Sequence, residues 1–288
     1  MADKSGPADH RLLHDPVSGA ATARLRVGDR TLLALSDGFF LMHPTFLGVP
    51  ESTTAAHDVL SAHYGEARLP LGCFFLPGDK NVLVDCGFGP VWFEGDGLLV
   101  GGQLPAALAR SGLSPEDVDI LAISHLHADH IGWVGDVHAR PVFPNAEIVL
   151  ARADWEYFLE GDGRDVLRPH IRETLEELSR CGRVSLLEGD SQIAPGITRL
   201  SAPGHTPGHS IYVVHDGPDR VLLFGDAMYC PQQLSHLDWE AASDVDPALA
   251  RRTRETFQRD LELHGGEALG SHFPELIAGR AIATPDVS

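Results

Sequence analysis

The stretch Ser124-His125-Leu126-His127-Ala128-Asp129-His130 sets three imidazoles and a carboxylate within six residues, from His125 to His130. It directly follows the apolar positions Val118, Ile120, Leu121 and Ile123, which read as a buried strand. In extended chain, residues two apart project to the same side, so His125 and His127 can reach one ion from a strand end. On a helix two such ligands would need a spacing of four. Asp129 and His130 arrive as the chain turns away, and their different direction suggests a second ion. Neutral imidazole with carboxylate suits zinc, and also manganese, cobalt or iron. Chance histidines on a solvated turn are the alternative, but four coordinating side chains at this density after a core strand argue against it.

Composition narrows the setting of such a site. The chain has 288 residues, of which 43% are hydrophobic, enough to bury a real core. Its formal charge is -19, with only 22 Lys and Arg, so neither a nucleic-acid backbone nor an anionic membrane is an expected partner. No basic and then apolar leader stands at the amino terminus and no stretch has the length of a membrane span, so residence in the cytoplasm is expected. Cys73, Cys86, Cys181 and Cys230 form no C-x-x-C pair and read as buried reduced thiols.

Residues 1–21 lack any sustained period and read as a flexible arm; residues 22–288 read as a single domain. Alternation over Ala23 to Val27 and Thr31 to Leu35 predicts a hairpin, ended by Asp37-Gly38. The apolar run from Phe39 to Leu47 reads as buried strand and core, with a wall of the substrate pocket as its rival. Ser52 can cap a helix to Tyr64, stopped by Gly65. Leu71 to Leu76 and Asn81 to Val84 form a second hairpin. It ends on Asp85, which either orients a metal-bound histidine or simply makes a turn before Cys86-Gly87. A Gly-rich loop over residues 88–102 leads to a helix at Leu104 to Ser111. After the histidine stretch a short helix is expected at Ile131 to Trp133, then a strand at Glu147 to Leu150. Helices are expected at Asp154 to Leu159 and Val166 to Cys181, the second carrying Leu167, Ile171, Leu175 and Leu178 on one face. Strands at Val184 to Leu187, Ile197 to Ser201, Ile211 to Val214 and Val221 to Phe224 follow, then a helix from Pro247 to His264 and a strand at Ala268 to Gly270. Two halves of mixed sheet with helices outside are the natural packing.

Three later stretches each put a metal-binding side chain directly after a predicted strand: Pro203-Gly204-His205-Thr206-Pro207-Gly208-His209, Phe224-Gly225-Asp226, and Gly270-Ser271-His272. Together with His-x-His-x-Asp-His, and in this order from Asp85 to His272, they resemble the metallo-β-lactamase fold superfamily in its dinuclear branch. The resemblance implies an α/β fold, an αβ/βα four-layer sandwich of two facing mixed sheets with helices outside. It implies that His125, His127 and His205 hold one divalent ion, that Asp129, His130 and His272 hold the other, and that Asp226 bridges them. A shared carboxylate both neutralises and spaces two cations ~3.5–4 Å apart. Asp85 then takes the orienting role, although Cys86 stands where a threonine is more usual, and His209 is assigned support rather than ligation.

Within that superfamily the pattern departs from true β-lactamases, which lack a bridging aspartate at the position of Asp226. Only Phe273 to Ser288 follow the last ligand, unlike the helical glutathione-binding region of glyoxalase II-like thioesterases. Flavodiiron proteins exchange a histidine for glutamate and add a flavin domain, and RNA-processing members want basic surfaces. What remains resembles the N-acyl homoserine lactonases. That implies two ions, zinc foremost, and a small lactone or ester substrate attacked by a metal-bridging hydroxide. Asp129 would protonate the leaving alcohol, and Tyr229, three residues after Asp226, would hold the oxyanion. Family precedent implies a homodimer. Phe39 to Leu47, Trp133, Trp155 and Trp239 are further pocket candidates. A phosphotriesterase or arylesterase of the methyl parathion hydrolase type shares the ligand set, and an iron-dependent persulfide dioxygenase would carry one redox-active iron.

Overall fold

The computed structural model describes residues 22–49, 67–94 and 97–276. The expected arm and the helix expected from Ser52 lie outside the described residues. The larger sheet is built from β1 (Thr22–Val27), β2 (Arg30–Met42), β3 (Ala67–Leu76), β4 (Val82–Val84), β5 (Trp92–Glu94), β6 (Gly97–Val100), β7 (Ile120–Ala122), β8 (Glu147–Ala151) and β9 (Val184–Leu187). Its order is β5-β6-β2-β3-β4-β7-β8-β9, with β1 paired to the first half of β2. The smaller sheet runs β10 (Ser191–Ala194), β11 (Ile197–Ser201), β12 (Ser210–Asp216), β13 (Asp219–Leu223) and β14 (Glu267–Leu269), in that order. The α-helices among the described residues are α1 (Leu104–Arg110), α2 (Arg152–Trp155), α3 (Pro169–Arg180) and α4 (Pro247–His264). Among the described residues no helix is long and apolar enough to cross a membrane.

Two-residue periodicity assigns the faces of the larger sheet. Phe74, Val82, Val84, Ile120, Ala122 and Val149 pack toward Val213, Val221 and Leu223 of the smaller sheet. Their neighbours Cys73, Phe75, Leu83, Leu121, Ile148 and Leu150 pack instead with Leu104 and Leu108 of α1 and Ile171, Leu175 and Leu178 of α3. On the smaller sheet, Phe257 and Leu261 of α4 join the inter-sheet cluster, with Phe257 edge-on to Phe224. Helix, sheet, sheet, helix is therefore the layer order, as expected.

Several elements depart from the sequence reading. Asp37-Gly38 does not end β2. It is a bulge, marked by a register shift between Ser36 and Phe39, beyond which the strand continues to pair with β3 and β6. A Cβ at Gly38 would run into the Val100 carbonyl, so glycine is needed for close sheet contact rather than for a turn. The Gly-rich loop contains β5 and β6, and β10 lies in a stretch read as connection; all three are only three or four residues long. No helix forms at Ile131 to Trp133. There Gly132 N donates to Gly87 O at 2.6 Å and Trp133 N to Cys86 O at 3.3 Å, so the chain pairs with the loop after β4. The Asp154 to Leu159 helix is α2 continuing into a π turn, Glu156–Glu160. The next helix starts three residues later than read, because Pro169 suits a first turn and keeps Arg168 extended. Cys181 is exposed, unlike the other three cysteines, since it follows the last turn of α3.

The bulge also builds an anchor. Asp37 Oδ2 accepts from Phe88 N at 2.8 Å and Gly89 N at 3.0 Å, and Oδ1 from Gly102 N at 3.2 Å, Leu104 N at 2.7 Å and Trp133 Nε1 at 2.8 Å. One buried carboxylate thus holds both ends of the β5–β6 excursion and the chain beyond His130. Burial pushes its pKa up against the pull of these donors, so the donors do not fully offset its desolvation. Asp37→Ala orphans the whole set, and we expect a loss of about 3 kcal/mol or more, read as a lower urea midpoint at unchanged slope.

Candidate metal centre

Strand direction brings the predicted ligands together. β4 and β7 are parallel neighbours, as are β13 and β14, so Asp85, His125, Asp226 and His272 all leave carboxyl ends of strands. β11 points the same way, two antiparallel steps from β13, and delivers His205. The two sheets are tied at this edge. Ser210 N donates to Ser124 O at 2.9 Å, Gly72 N to Ser271 O at 2.8 Å, and the Tyr212 hydroxyl to Ile123 O at 2.9 Å.

Two clusters of donor atoms result. In the first, His205 Nε2 lies 3.2 Å from His125 Nε2 and 2.9 Å from His127 Nδ1, and these last two are 3.0 Å apart. Asp226 Oδ2 completes the group, 3.9 Å from His125 Nε2 and 3.6 Å from His205 Nε2. In the second, Asp226 Oδ1 lies 3.0 Å from His130 Nε2 and 3.1 Å from His272 Nε2, and Asp129 Oδ2 is 3.4 Å from His272 Nε2. One carboxylate therefore turns a different oxygen to each cluster.

Outer contacts fix which ring nitrogens are bare. His272 Nδ1 donates to Pro70 O at 2.8 Å, His130 Nδ1 to Asp85 Oδ2 at 2.8 Å and His205 Nδ1 to Asp244 Oδ1 at 2.9 Å. Ser124 Oγ donates to Asp85 Oδ2 at 2.7 Å, so it is free to accept from His125 Nδ1 at 3.0 Å. With the Nδ1 proton held outside, the neutral form of each of these four rings presents an Nε2 lone pair inward. Two such lone pairs 3.2 Å apart, on His205 and His125, repel unless a cation lies between them. His130 Nε2, His272 Nε2 and Asp226 Oδ1 are buried without a hydrogen bond, which the same explanation covers. The donor set fits two divalent ions.

The electrostatics agree. Burial, then the neighbouring imidazoles, holds His125 well below its ordinary pKa and His127 at about 3, so these two rings are neutral at pH 7. At His272 burial acts downward but is outweighed by Asp226 and Asp129, which lift it to about 10. At His130 burial is likewise outweighed, by Asp226, Asp85 and Asp129, and its pKa stands well above normal. The carboxylates of the second cluster thus call for positive charge.

Asp85 takes the orienting place. It adopts a left-handed backbone, φ 58°, and accepts from Ser124 N at 2.7 Å as well as from Ser124 Oγ and His130. His209 Nε2 accepts from Asp226 N at 3.1 Å and stands behind the bridge position rather than within either cluster. Tyr229 stacks on His272 at 5.0 Å between centroids and 6° between planes, and its hydroxyl meets Ser243 Oγ at 3.1 Å. Burial foremost, then Asp226, pushes that hydroxyl's pKa well above normal, so it is a donor at neutral pH. Phe40, Met42, Leu47 and Trp239 form an apolar cluster with Tyr229, and Phe46 meets its ring edge-on at 5.3 Å. The Phe39 to Leu47 stretch is thus core that also borders the site. Trp133 and Trp155 are not in this cluster. The first holds Asp37, and the second packs on the helix side with Nε1 donating to Glu160 Oε1 at 3.0 Å.

The sequence reading missed Asp244, Ser243, Asp154 and Arg168. Asp244 supports His205 and also meets Arg254 NH1 at 3.4 Å, with both side chains buried. Arg168 lies 4.3 Å over the Phe88 ring, donates to Phe88 O at 2.7 Å, and senses the charge of Asp129. Among 41 acidic residues nothing local marks Asp154 or Asp244. Ser124 had a signal, its place beside His125 at a strand end.

Residues 73–272 match the family model of the metallo-beta-lactamase superfamily. An N-acyl homoserine lactonase of a Bacillus species is 31% identical over 211 residues, covering 67% of this chain and 78% of that one. The lactonase AiiA of Bacillus thuringiensis subsp. kurstaki is 29% identical over 215 residues, with the same coverage of 67% and 78%. Among solved structures, the dizinc quorum-quenching lactonase AidC, in complex with its product N-hexnoyl-L-homoserine, superposes with a TM-score of 0.78 at 21% identity, over 93% of this chain and 96% of that one. By the matched span, which runs from β3 through every strand-end ligand to His272, this chain belongs to the metallo-β-lactamase superfamily.

Proposed function

We propose that the protein is a dinuclear metal-dependent hydrolase that opens the ester bond of a lactone of the N-acyl homoserine lactone class. The observation that carries this reading is Asp226, whose Oδ2 faces one group of three imidazoles and whose Oδ1 faces His130 and His272. His125, His127 and His205 hold one ion, Asp129, His130 and His272 the other, and Asp226 both. Imidazole and carboxylate ligands favour zinc. Two such cations, when bound, supply water acidified toward neutral pH and positive charge for a carbonyl oxygen.

The chain's own groups do the rest. The Tyr229 hydroxyl, protonated at neutral pH, donates to the oxygen that gains charge as the lactone carbonyl is attacked. Asp129, partly exposed, takes the proton given up by the attacking water as its oxygen bonds to the carbonyl carbon, and passes it to the alkoxide released when the ring C–O bond breaks. Phe46 and the cluster around Tyr229 keep water from this side and give an acyl chain an apolar wall.

Elemental analysis of purified protein, beside a pH-drop assay on lactones, aryl esters and phosphotriesters, tests the reading. We expect two metal ions per chain and turnover of lactones. A strong chelator should abolish turnover and added zinc should restore it, while the thermal midpoint falls on metal removal. One iron per chain without hydrolysis would refute the proposal, and two ions with turnover only of phosphotriesters would reassign the substrate.

A further inference from the structure

The loop of His125 and His127 leaves the larger sheet, whereas the loop of His205 leaves the smaller one. Three imidazoles can meet within 3.2 Å only if these loops are held in register with each other. Asp154, in α2, lies between them and is 1% exposed. From the first loop it accepts Leu126 N, between the two histidines, on Oδ2 at 3.1 Å. From the second it accepts the Thr206 hydroxyl on Oδ2 at 3.0 Å and Gly208 N on Oδ1 at 2.6 Å. A Cβ at Gly208 would run into Asp154 N, so the second loop is pressed against α2. The π turn that continues α2 adds Phe158, edge-on to the His127 ring at 5.7 Å. No contact of this kind links Asp154 to Asp129, His130 or His272.

On the reading that both clusters hold ions, we infer that Asp154 is a positioning residue for one of them only, the ion of His125, His127 and His205. All its partners are donors, and a carboxylate can accept from every one of them. An amide cannot: in Asp154→Asn an NH2 group must face the Leu126 and Thr206 side or the Gly208 side, and one loop loses its backbone N–H contact. Outer partners of metal ligands commonly set affinity by about 10–100-fold.

The test is metal affinity, measured by competition with a chromophoric chelator on the full chain, with thermal unfolding to confirm the fold. In Asp154→Asn we expect one of two ions to bind about 10–100-fold more weakly and the other to be unchanged. Combined with His272→Ala, which disables the second cluster, Asp154→Asn should weaken the remaining ion; combined with His205→Ala it should change nothing further. Thr206→Val, which removes a single donor, should weaken the same ion by about 3- to 10-fold and serves if Asp154→Asn fails to fold. Equal weakening of both ions, or of neither, overturns the inference. Fewer than two ions in the wild type overturns instead the dinuclear reading on which it rests.

Discussion

Asp226→Ala is expected to purify folded, to lose at least one metal ion per chain, and to hydrolyse lactones at least about 10³-fold more slowly than wild type. The size of the effect follows from the two directions in which this carboxylate faces. Its loss removes an anionic ligand from both clusters and leaves two cations unscreened at close range. The variant should nonetheless fold. The main chain at this turn is set by Gly225, φ 52°, and by Asp226 N donating to His209 Nε2 at 3.1 Å, and neither needs the side chain. At 3% exposed, Asp226 is also a buried anion among imidazoles, so alanine removes a desolvated charge as well as a ligand. Elemental analysis and the lactone assay on one preparation check this. Wild-type turnover in Asp226→Ala would exclude a shared carboxylate from the reaction.

That the side chains of the two clusters converge was legible in the sequence, because imidazoles and carboxylates directly after apolar strands fall at predictable places. His125 and His127 share a side by strand periodicity, and His205, Asp226 and His272 each follow an apolar run. Helix α4 was legible to the residue, since Asp246 and Pro247 mark its start and Gly265 its end. What stayed hidden depends on contacts between distant segments. Asp37-Gly38 has the composition of a turn, yet the approach of Val100 makes it a bulge. Trp133 looked like a pocket residue, and only the position of Asp37, 96 residues earlier, shows what its indole N–H is for. Asp154 and Asp244 support His205 and its neighbours from other elements, and a one-dimensional reading has no period that links them. Resemblance filled one such gap. The residues alone left Asp85 open between turn and support, the family pattern chose support, and its 2.8 Å contact with His130 agrees.

Tyr229→Phe should keep both metal ions and the fold while lowering kcat by about 10²-fold, with KM little changed. Phenylalanine preserves the stack on His272 at 5.0 Å and the edge contact with Phe46 at 5.3 Å, so only the hydroxyl is deleted. Its partner Ser243 is only partly buried and can turn to water, which keeps the stability change within about 1 kcal/mol. Loss of one donor to a developing oxyanion costs about 10²–10³-fold when that donor acts in the transition state alone, and such a loss appears in kcat rather than KM. A phenol is already protonated at neutral pH and burial acts in the same direction, so the deficit should be constant through neutral pH. A purely structural tyrosine would instead show a lower thermal midpoint or lost metal with kcat per bound metal unchanged. Steady-state kinetics, metal analysis and thermal unfolding on Tyr229→Phe therefore separate the two roles, and unchanged kcat would remove Tyr229 from the mechanism.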